Sequence, residues 1–318
     1  MNYYKRTADA LLKDLLDAFG AVLIEGPKWC GKTTTASQLA NSILRMQDPS
    51  MRDEYLVTAK TKPSILLNGD TPRLIDEWQD APMLWDAVRT TVDDRQIPGQ
   101  FILTGSNAVD KSQIHHSGAG RITRLRMLPM SLWESKESTG EVSLKELFNN
   151  PDYDIDGKMS KMSIEDLIFA ASRGGWPASL LARTPKAQLL VAKNYVQTIC
   201  LDDISGIDGK RRDAKLTSMI LRAYARNVST LVKKKSLIDD VISSGEVSCH
   251  TDTFDDYVSA LEKLFVIQNV SAWCPAIRSK TAIRSSVKRC FCDPSIPIAL
   301  LGLSPEALSM QLKTFGFI

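Results

Sequence analysis

No stretch of the 318-residue chain holds the roughly 20 consecutive apolar residues that a membrane-spanning helix needs, so no membrane partner is expected. The first 20 residues, MNYYKRTADALLKDLLDAFG, carry too many charges for the apolar core of a signal peptide. Cysteine is sparse and scattered. Cys30, Cys200, Cys249, Cys274, Cys290 and Cys292 contain no C-x-x-C pair, which speaks against a disulfide framework or a zinc site and fits a reducing cytoplasm. Only three histidines occur, and the adjacent pair His115-His116 has no third ligand in view. Charge of one sign is also lacking: 40 Lys/Arg against 37 Asp/Glu leave a net +3 that names no partner. There is no internal repeat or low-complexity segment. At 43% hydrophobic and 24% charged residues, wholesale disorder is excluded as well.

What is present is an ordered alternation. A helix is expected over 8–19, with Leu11, Leu12, Leu15, Leu16 and Phe19 on one face. AVLIE (21–25), SILRM (42–46), RLIDE (73–77), FILTG (101–105) and RITRLRM (121–127) read as buried strands, and 82–94 as a helix. This is an α/β pattern, a parallel sheet flanked by helices. Past residue 130 the pattern turns helical, over 131–137, 142–149, 163–173 and 185–203, around a polar loop at 149–162. Helices at 214–227, 235–243 and 253–264, then strands at 265–270 and 287–293, suggest a winged helix. Three regions are expected: a phosphate-binding α/β domain over 1–130, a helical lid over 131–208, and a winged-helix-like domain over 209–318.

Gly26-Pro27-Lys28-Trp29-Cys30-Gly31-Lys32-Thr33 fits the pattern G-x-x-x-x-G-K-[ST], after a buried strand and at the start of a helix. Such a loop wraps a phosphate chain with its backbone N–H groups, and the helix that follows points its N-terminus at the anion. Lys32 is placed to reach the β/γ phosphates and Thr33 to ligate Mg²⁺, with Thr34 beside it. Asp76 at the end of a buried strand needs a partner, and a phosphate-bound Mg²⁺ supplies one. Glu77 next to it could polarise the attacking water. Thr104 and Ser106, at the end of FILTGS, could orient that water or sense the γ-phosphate; a simple strand-end turn is the alternative. Arg121, ahead of Arg124 and Arg126, is a candidate arginine finger, from its own chain or a neighbouring copy, with a solvated strand face as the alternative.

GPKWCGKTTTA, PRLIDEWQDAPMLWDAVR, FILTGS and SGAGRI together resemble an AAA-type P-loop ATPase family of bacteria and archaea, in which a winged helix and a nuclease-like domain of unknown function follow the ATPase module. RGGWPASL (173–180) and VKRCFCDPSI (287–296) resemble that family's downstream region. The resemblance implies ATP and Mg²⁺ as ligands, with nucleotide at Gly26, Gly31, Lys32 and Thr33. It gives Mg²⁺ to Asp76, catalysis to Glu77, a sensor stretch to Thr104 and Ser106, and the family's arginine to Arg121. The expected nuclease-like module is missing.

Residues 210–289 carry 15 Lys/Arg against 8 Asp/Glu. Lys233, Lys234, Lys235, Arg278, Lys280, Arg284, Lys288 and Arg289 are the candidate nucleic-acid contacts, opposed by Asp252, Asp255 and Asp256 at the third helix. The leading expectation is a Mg²⁺-dependent ATPase switch, with a homo-oligomer as a candidate assembly. A small-molecule phosphotransferase and a non-hydrolysing nucleotide-gated DNA-binding module remain alternatives. A last helix from Ser304 and Pro305, with an apolar stripe of Leu308, Leu312 and Phe315, is expected to leave that stripe in solvent, as in a fragment of a longer protein.

Overall fold

The computed structural model describes residues 3–106, 114, 116–243, 247–273 and 286–318. Among them, β1 (Ala21–Glu25), β2 (Ser42–Arg45), β3 (Arg73–Asp76), β4 (Phe101–Gly105) and β5 (Ile122–Arg126) form one parallel sheet in the order β2-β3-β4-β1-β5. The helices α1 (Thr7–Ala18), α2 (Lys32–Ser37), α3 (Arg52–Thr61) and α4 (Met83–Arg95) cover it. Strand alternation explains why β1 is apolar throughout. Val22 and Ile24 pack with Leu12 and Leu16 of α1, while Ala21 and Leu23 pack with Leu84, Trp85 and Val88 of α4. Because every strand runs the same way, their C-terminal ends share one edge of the sheet. The order then places β4 between β1 and β3, pairing Thr104 with Ile24 on one side and Asp76 on the other.

The five strands expected over 21–127 and α4 are present within a residue or two, whereas the strands expected at 265–270 and 287–293 are reduced to the isolated bridges Ile267–Phe291 and Val270–Lys288. The strand expected over 73–77 stops at Asp76, because Glu77 turns into the left-handed region at φ 55°. The helix expected over 131–137 is absent. That stretch is a run of turns, in which the Glu134 carboxylate accepts from Ser131 N at 2.8 Å and Thr7 N at 2.7 Å. A carboxylate that gathers backbone N–H groups in this way favours a turn over a helix.

The second half is helical: α5 (Leu144–Asn149), α6 (Ile164–Arg173), α7 (Pro177–Leu181) and α8 (Pro185–Thr198). The helix expected over 185–203 does not run through as α-helix. It widens into a π-turn at Ile199–Asp203 before α9 (Ile204–Gly206). Next come α10 (Ala214–Arg226), α11 (Lys234–Ile242) and α12 (Thr251–Lys263). An antiparallel ladder follows, in which Cys292 N donates to Val266 O at 3.0 Å and Gln268 N to Cys290 O at 2.8 Å. Val270 and Lys288 close it by exchanging both bonds. One apolar core runs from Trp176 to Leu300 and holds Tyr195, Ile199, Ile220, Tyr224, Phe254 and Leu261 together, across the boundary expected at 208/209.

α13 (Ser295–Leu300), α14 (Pro305–Ser309) and α15 (Leu312–Phe315) end the chain. The single last helix is therefore broken into two short ones, and its expected exposed stripe is only partly so. Leu308 is fully buried against Ile168 and Ile298, with Phe315 packed at the margin, whereas Leu312 and Phe317 stay about half exposed. Among the described residues no helix is long and apolar enough to cross a membrane.

Candidate nucleotide site

The loop after β1 turns at glycines because nothing larger fits. A Cβ on Gly26 would lie 2.0 Å from Met127 O, and Gly31 opens α2 at φ 98°. Lys32 is buried and donates from Nζ to Gly26 O at 3.0 Å and Pro27 O at 2.8 Å, so its charge is gathered into the loop's own concavity. Thr33 Oγ1 donates to Asp76 Oδ1 at 2.7 Å, and Thr104 Oγ1 donates to the same oxygen at 2.6 Å. Asp76 is thus aimed by one hydroxyl from the loop's helix and one from the neighbouring strand.

Glu77 leaves β3 in a left-handed conformation, which costs a non-glycine residue about 1 kcal/mol or more. That twist turns its carboxylate toward the cleft, where Ser106 Oγ donates to Oε2 at 3.3 Å and Gln79 Nε2 donates to the same atom. Lys28, Trp29, Gly31, Lys32, Thr33, Thr34, Glu77, Gln79 and Ser106 line one cleft of about 1190 Å³. Its opposite wall comes from Leu181, Leu190 and Val191 of α7 and α8, with Ile207.

The loop is gripped from two sides. Behind it, the buried Arg6 guanidinium donates to Cys30 O at 2.8 Å and Leu128 O at 2.7 Å, and pairs with Glu134 at 3.1 Å. Burial works to raise the Glu134 carboxyl. The N–H groups of Ser131 and Thr7, with the Arg6 charge, outweigh it and hold the group below its ordinary range. In front, Lys28 pairs with Asp203 of the π-turn at 2.5 Å, and Trp29 packs on Tyr195 with ring centroids 5.5 Å apart. Neither grip was foreseen from sequence. Arg6 carries no motif, and Asp203 faces the loop only because the π-turn rotates it there.

Four expected positions sit away from the cleft surface or in an unexpected role. Cys30 does not face the cleft: its thiol is buried behind the loop, and burial pushes its pKa up. Thr104 is also fully buried and does not line the cleft; its hydroxyl is spent on Asp76. Pro27 contributes its carbonyl to Lys32. Arg121 is not brought to the loop of its own chain. It precedes Ile122, which pairs with Ala21 at the far end of β1, roughly 17 Å of strand from the loop. There it is bound to Asp93 at 2.6 Å. Arg124 pairs with Glu25, and Arg126 lies over the Phe265 ring.

The oxygen donors Thr33 and Asp76 suit Mg²⁺, which binds through one or two protein oxygens and takes its other ligands from water and phosphate. Among the described residues no cluster of three His, Cys, Asp or Glu could hold a metal alone.

The basic surface is less available than its composition suggested. Lys234 pairs with Asp255, and Lys210 and Arg212 pair with Asp256, so two of the three acidic residues at α12 are paired within the molecule. Arg289 lies over the Tyr224 ring and donates to Asn269. Lys233, Lys235 and Lys288 are exposed. Arg278, Lys280, Arg284 and His115 lie outside the described residues.

Comparison with known proteins places these features. Residues 18–136 match the model of an AAA domain, and residues 164–307 that of a domain of unknown function (DUF8612). Two uncharacterized proteins, of Mycobacterium bovis and Mycobacterium tuberculosis, are each 24% identical over 309 residues, covering 94% of this chain and 60% of theirs. The chain thus spans about 60% of the length of these curated relatives. A solved Walker-type ATPase of Pyrococcus abyssi superposes with a TM-score of 0.52 at 12% identity, over 94% of this chain and 96% of its own. The α/β half therefore has the fold of a P-loop ATPase, and the helical half follows it as in that structure.

Proposed function

We propose that the chain binds ATP with Mg²⁺ in the cleft over the 26–33 loop and hydrolyses it. The observation that carries this reading is the convergence of Lys32, Thr33, Asp76 and Glu77 at one edge of the sheet, with Thr33 and Asp76 already hydrogen-bonded. Lys32 would exchange its two carbonyl acceptors for phosphate oxygens, a stronger charge-assisted contact. The loop's N–H groups and the start of α2 would cradle the same phosphates. Thr33 and Asp76 would hold Mg²⁺, which when bound neutralises phosphate charge. Glu77 would take the proton of the attacking water. The α7–α8 wall would act as the lid.

The test is equilibrium nucleotide binding and phosphate release by wild type, Lys32→Ala and Glu77→Gln. Lys32→Ala should lose binding, because it removes the cation facing the phosphates. Glu77→Gln should bind ATP and lose turnover. Wild-type turnover by Glu77→Gln removes it as the base. A phosphotransferase reading is favoured by one observation, Asp80 in the same cleft. It predicts ADP formation without matching release of inorganic phosphate.

For the helical half we infer a winged helix, on the strength of α10, α11 and α12 followed by the antiparallel ladder, with Lys233, Lys235 and Lys288 toward nucleic acid. Neutralising about 3 phosphates implies a log–log salt slope near −2.7. Salt-independent binding, or none at low salt, removes this partner.

A further inference from the structure

Trp29 stands in the phosphate loop at φ 64°, a left-handed conformation that glycine adopts freely and a bulky side chain only under strain. The strain brings little burial in return. The indole lines the cleft and is 43% exposed. A strained residue that leaves a large apolar ring in solvent is a candidate for contact with a ligand.

The ring has a defined place against the helical wall. It packs on Tyr195 with ring centroids 5.5 Å apart, so it meets α8 one residue past Asn194 and one turn past Val191. On that helix Ala187, Leu190, Val191 and Asn194 recur at i, i+3, i+4 and i+7 and form one stripe, and all four line the cleft. Leu190 is 52% exposed. α7 bears on the same loop, with the Pro177 ring 3.5 Å from the point that a Cβ on Gly31 would occupy. The indole and the stripe therefore stand next to each other, and Lys32 follows Trp29 by three residues.

The stripe is apolar until its last member. Asn194 carries a donor and an acceptor on one amide, and its side chain makes no hydrogen bond among the described residues. A surface that is aromatic and aliphatic over most of its extent, with one free amide at its edge, suits a planar ligand with an apolar face and a rim of donors and acceptors. A nucleobase has that character, and an aliphatic chain would leave the amide unmatched.

Resting on the ATPase reading above, we propose that Trp29 is the platform for the nucleotide base, which stacks on the indole in a slot closed by the Ala187–Asn194 stripe of α8. One loop then holds both ends of the ligand, the base at Trp29 and the phosphates at Lys32. A purine covers more of an indole than a pyrimidine does, so the slot favours purine nucleoside triphosphates.

The experiment measures equilibrium binding of ATP, CTP and inorganic triphosphate, each with Mg²⁺, to wild type, Trp29→Leu and Trp29→Phe, with thermal melting and tryptophan emission alongside. Trp29→Leu keeps apolar bulk against Tyr195 but has no stacking face. It should bind ATP roughly 5- to 150-fold more weakly, with triphosphate affinity within about twofold of wild type and a melting temperature close to it. Its preference for ATP over CTP should narrow. Trp29→Phe retains a ring and should keep most of the ATP affinity. In wild type, ATP should quench tryptophan emission where triphosphate does not, and the quench should vanish in Trp29→Phe. ATP affinity of Trp29→Leu within twofold of wild type overturns the proposal, as does wild-type emission that ATP leaves unchanged. A parallel fall in triphosphate affinity overturns it too, by making Trp29 a support for the loop. Failure of the underlying reading looks different: Lys32→Ala would then bind triphosphate as wild type does.

Discussion

Replacing Arg6 by methionine would cut the support behind the phosphate loop while keeping most of the buried stem. The guanidinium lies in a site where both it and Glu134 are almost wholly inaccessible, and it bonds to two carbonyls as well as the carboxylate. Removing one partner of a buried pair strands the other, which typically costs about 3–5 kcal/mol. At a urea slope of about 3 kcal/mol/M this lowers the unfolding midpoint by roughly 1–1.7 M. The loss should depend on pH in a defined direction. Glu134 is held below its ordinary range in the folded protein, so its contribution is present above the unfolded carboxyl pKa and is lost as pH falls through the folded value. In Arg6→Met the stranded carboxylate protonates more readily, so the gap between variant and wild type should narrow below about pH 5. Adding Glu134→Gln should recover part of the loss, because no buried charge is then left alone. Since Cys30 O is released, nucleotide affinity should fall as well. A stability loss under about 1 kcal/mol with unchanged nucleotide affinity would refute the reasoning.

Two further outcomes follow from other ion pairs. Asp208 is bonded through both oxygens to Arg212, which holds its carboxyl down to about 2. Its contribution should be complete above about pH 4 and disappear as pH falls toward 2, and Arg212→Met should erase that part of the acid-unfolding curve in urea melts. Asp203→Asn should release Lys28 from the π-turn and loosen the packing of Trp29 on Tyr195. Tryptophan emission should shift to the red, and an unshifted spectrum with unchanged nucleotide affinity would show that the pair does not hold the loop.

The sheet was legible because each strand is a short apolar run and each lies between helices of clear period, from AVLIE at β1 to FILTG at β4. Lys32, Thr33 and Asp76 were legible for a related reason: their roles depend on backbone position at a strand end or helix start, which spacing encodes. Side-chain direction is not encoded in that way. Thr104 and Ser106 looked equivalent, yet β4 ends at Gly105: Thr104 is still within the strand and reaches Asp76, whereas Ser106, past its end, lies beside Glu77. Arg121 stood in the right motif but at the wrong end of its strand, a fact that only the β1–β5 register reveals. The π-turn at 199–203 left no signature, since Ile-Cys-Leu-Asp-Asp continues a helical pattern without a break.

The 26–33 loop is the joint between the two cores of the chain. Its backbone is fixed to the sheet side through Arg6 and Cys30 O, whereas its side chains Lys28 and Trp29 reach the helical side through Asp203 and Tyr195. Tyr195 in turn packs on Trp176, with ring centroids 4.2 Å apart, and Trp176 belongs to the core that carries α10 and α12. The two walls of the cleft also differ in kind. The sheet side offers hydroxyls, carboxylates and Lys32, which suit phosphate, while Leu181, Leu190 and Val191 offer an apolar face that suits a base. A ligand that fills both must hold them at one spacing. Phosphates alone meet only the sheet side and leave the helical wall to Lys28–Asp203 and Trp29–Tyr195. The loop meets the helical side through one ion pair, whose Asp203 end is nearly covered, and one half-exposed ring, so these few contacts are the ones a bound nucleotide would have to move.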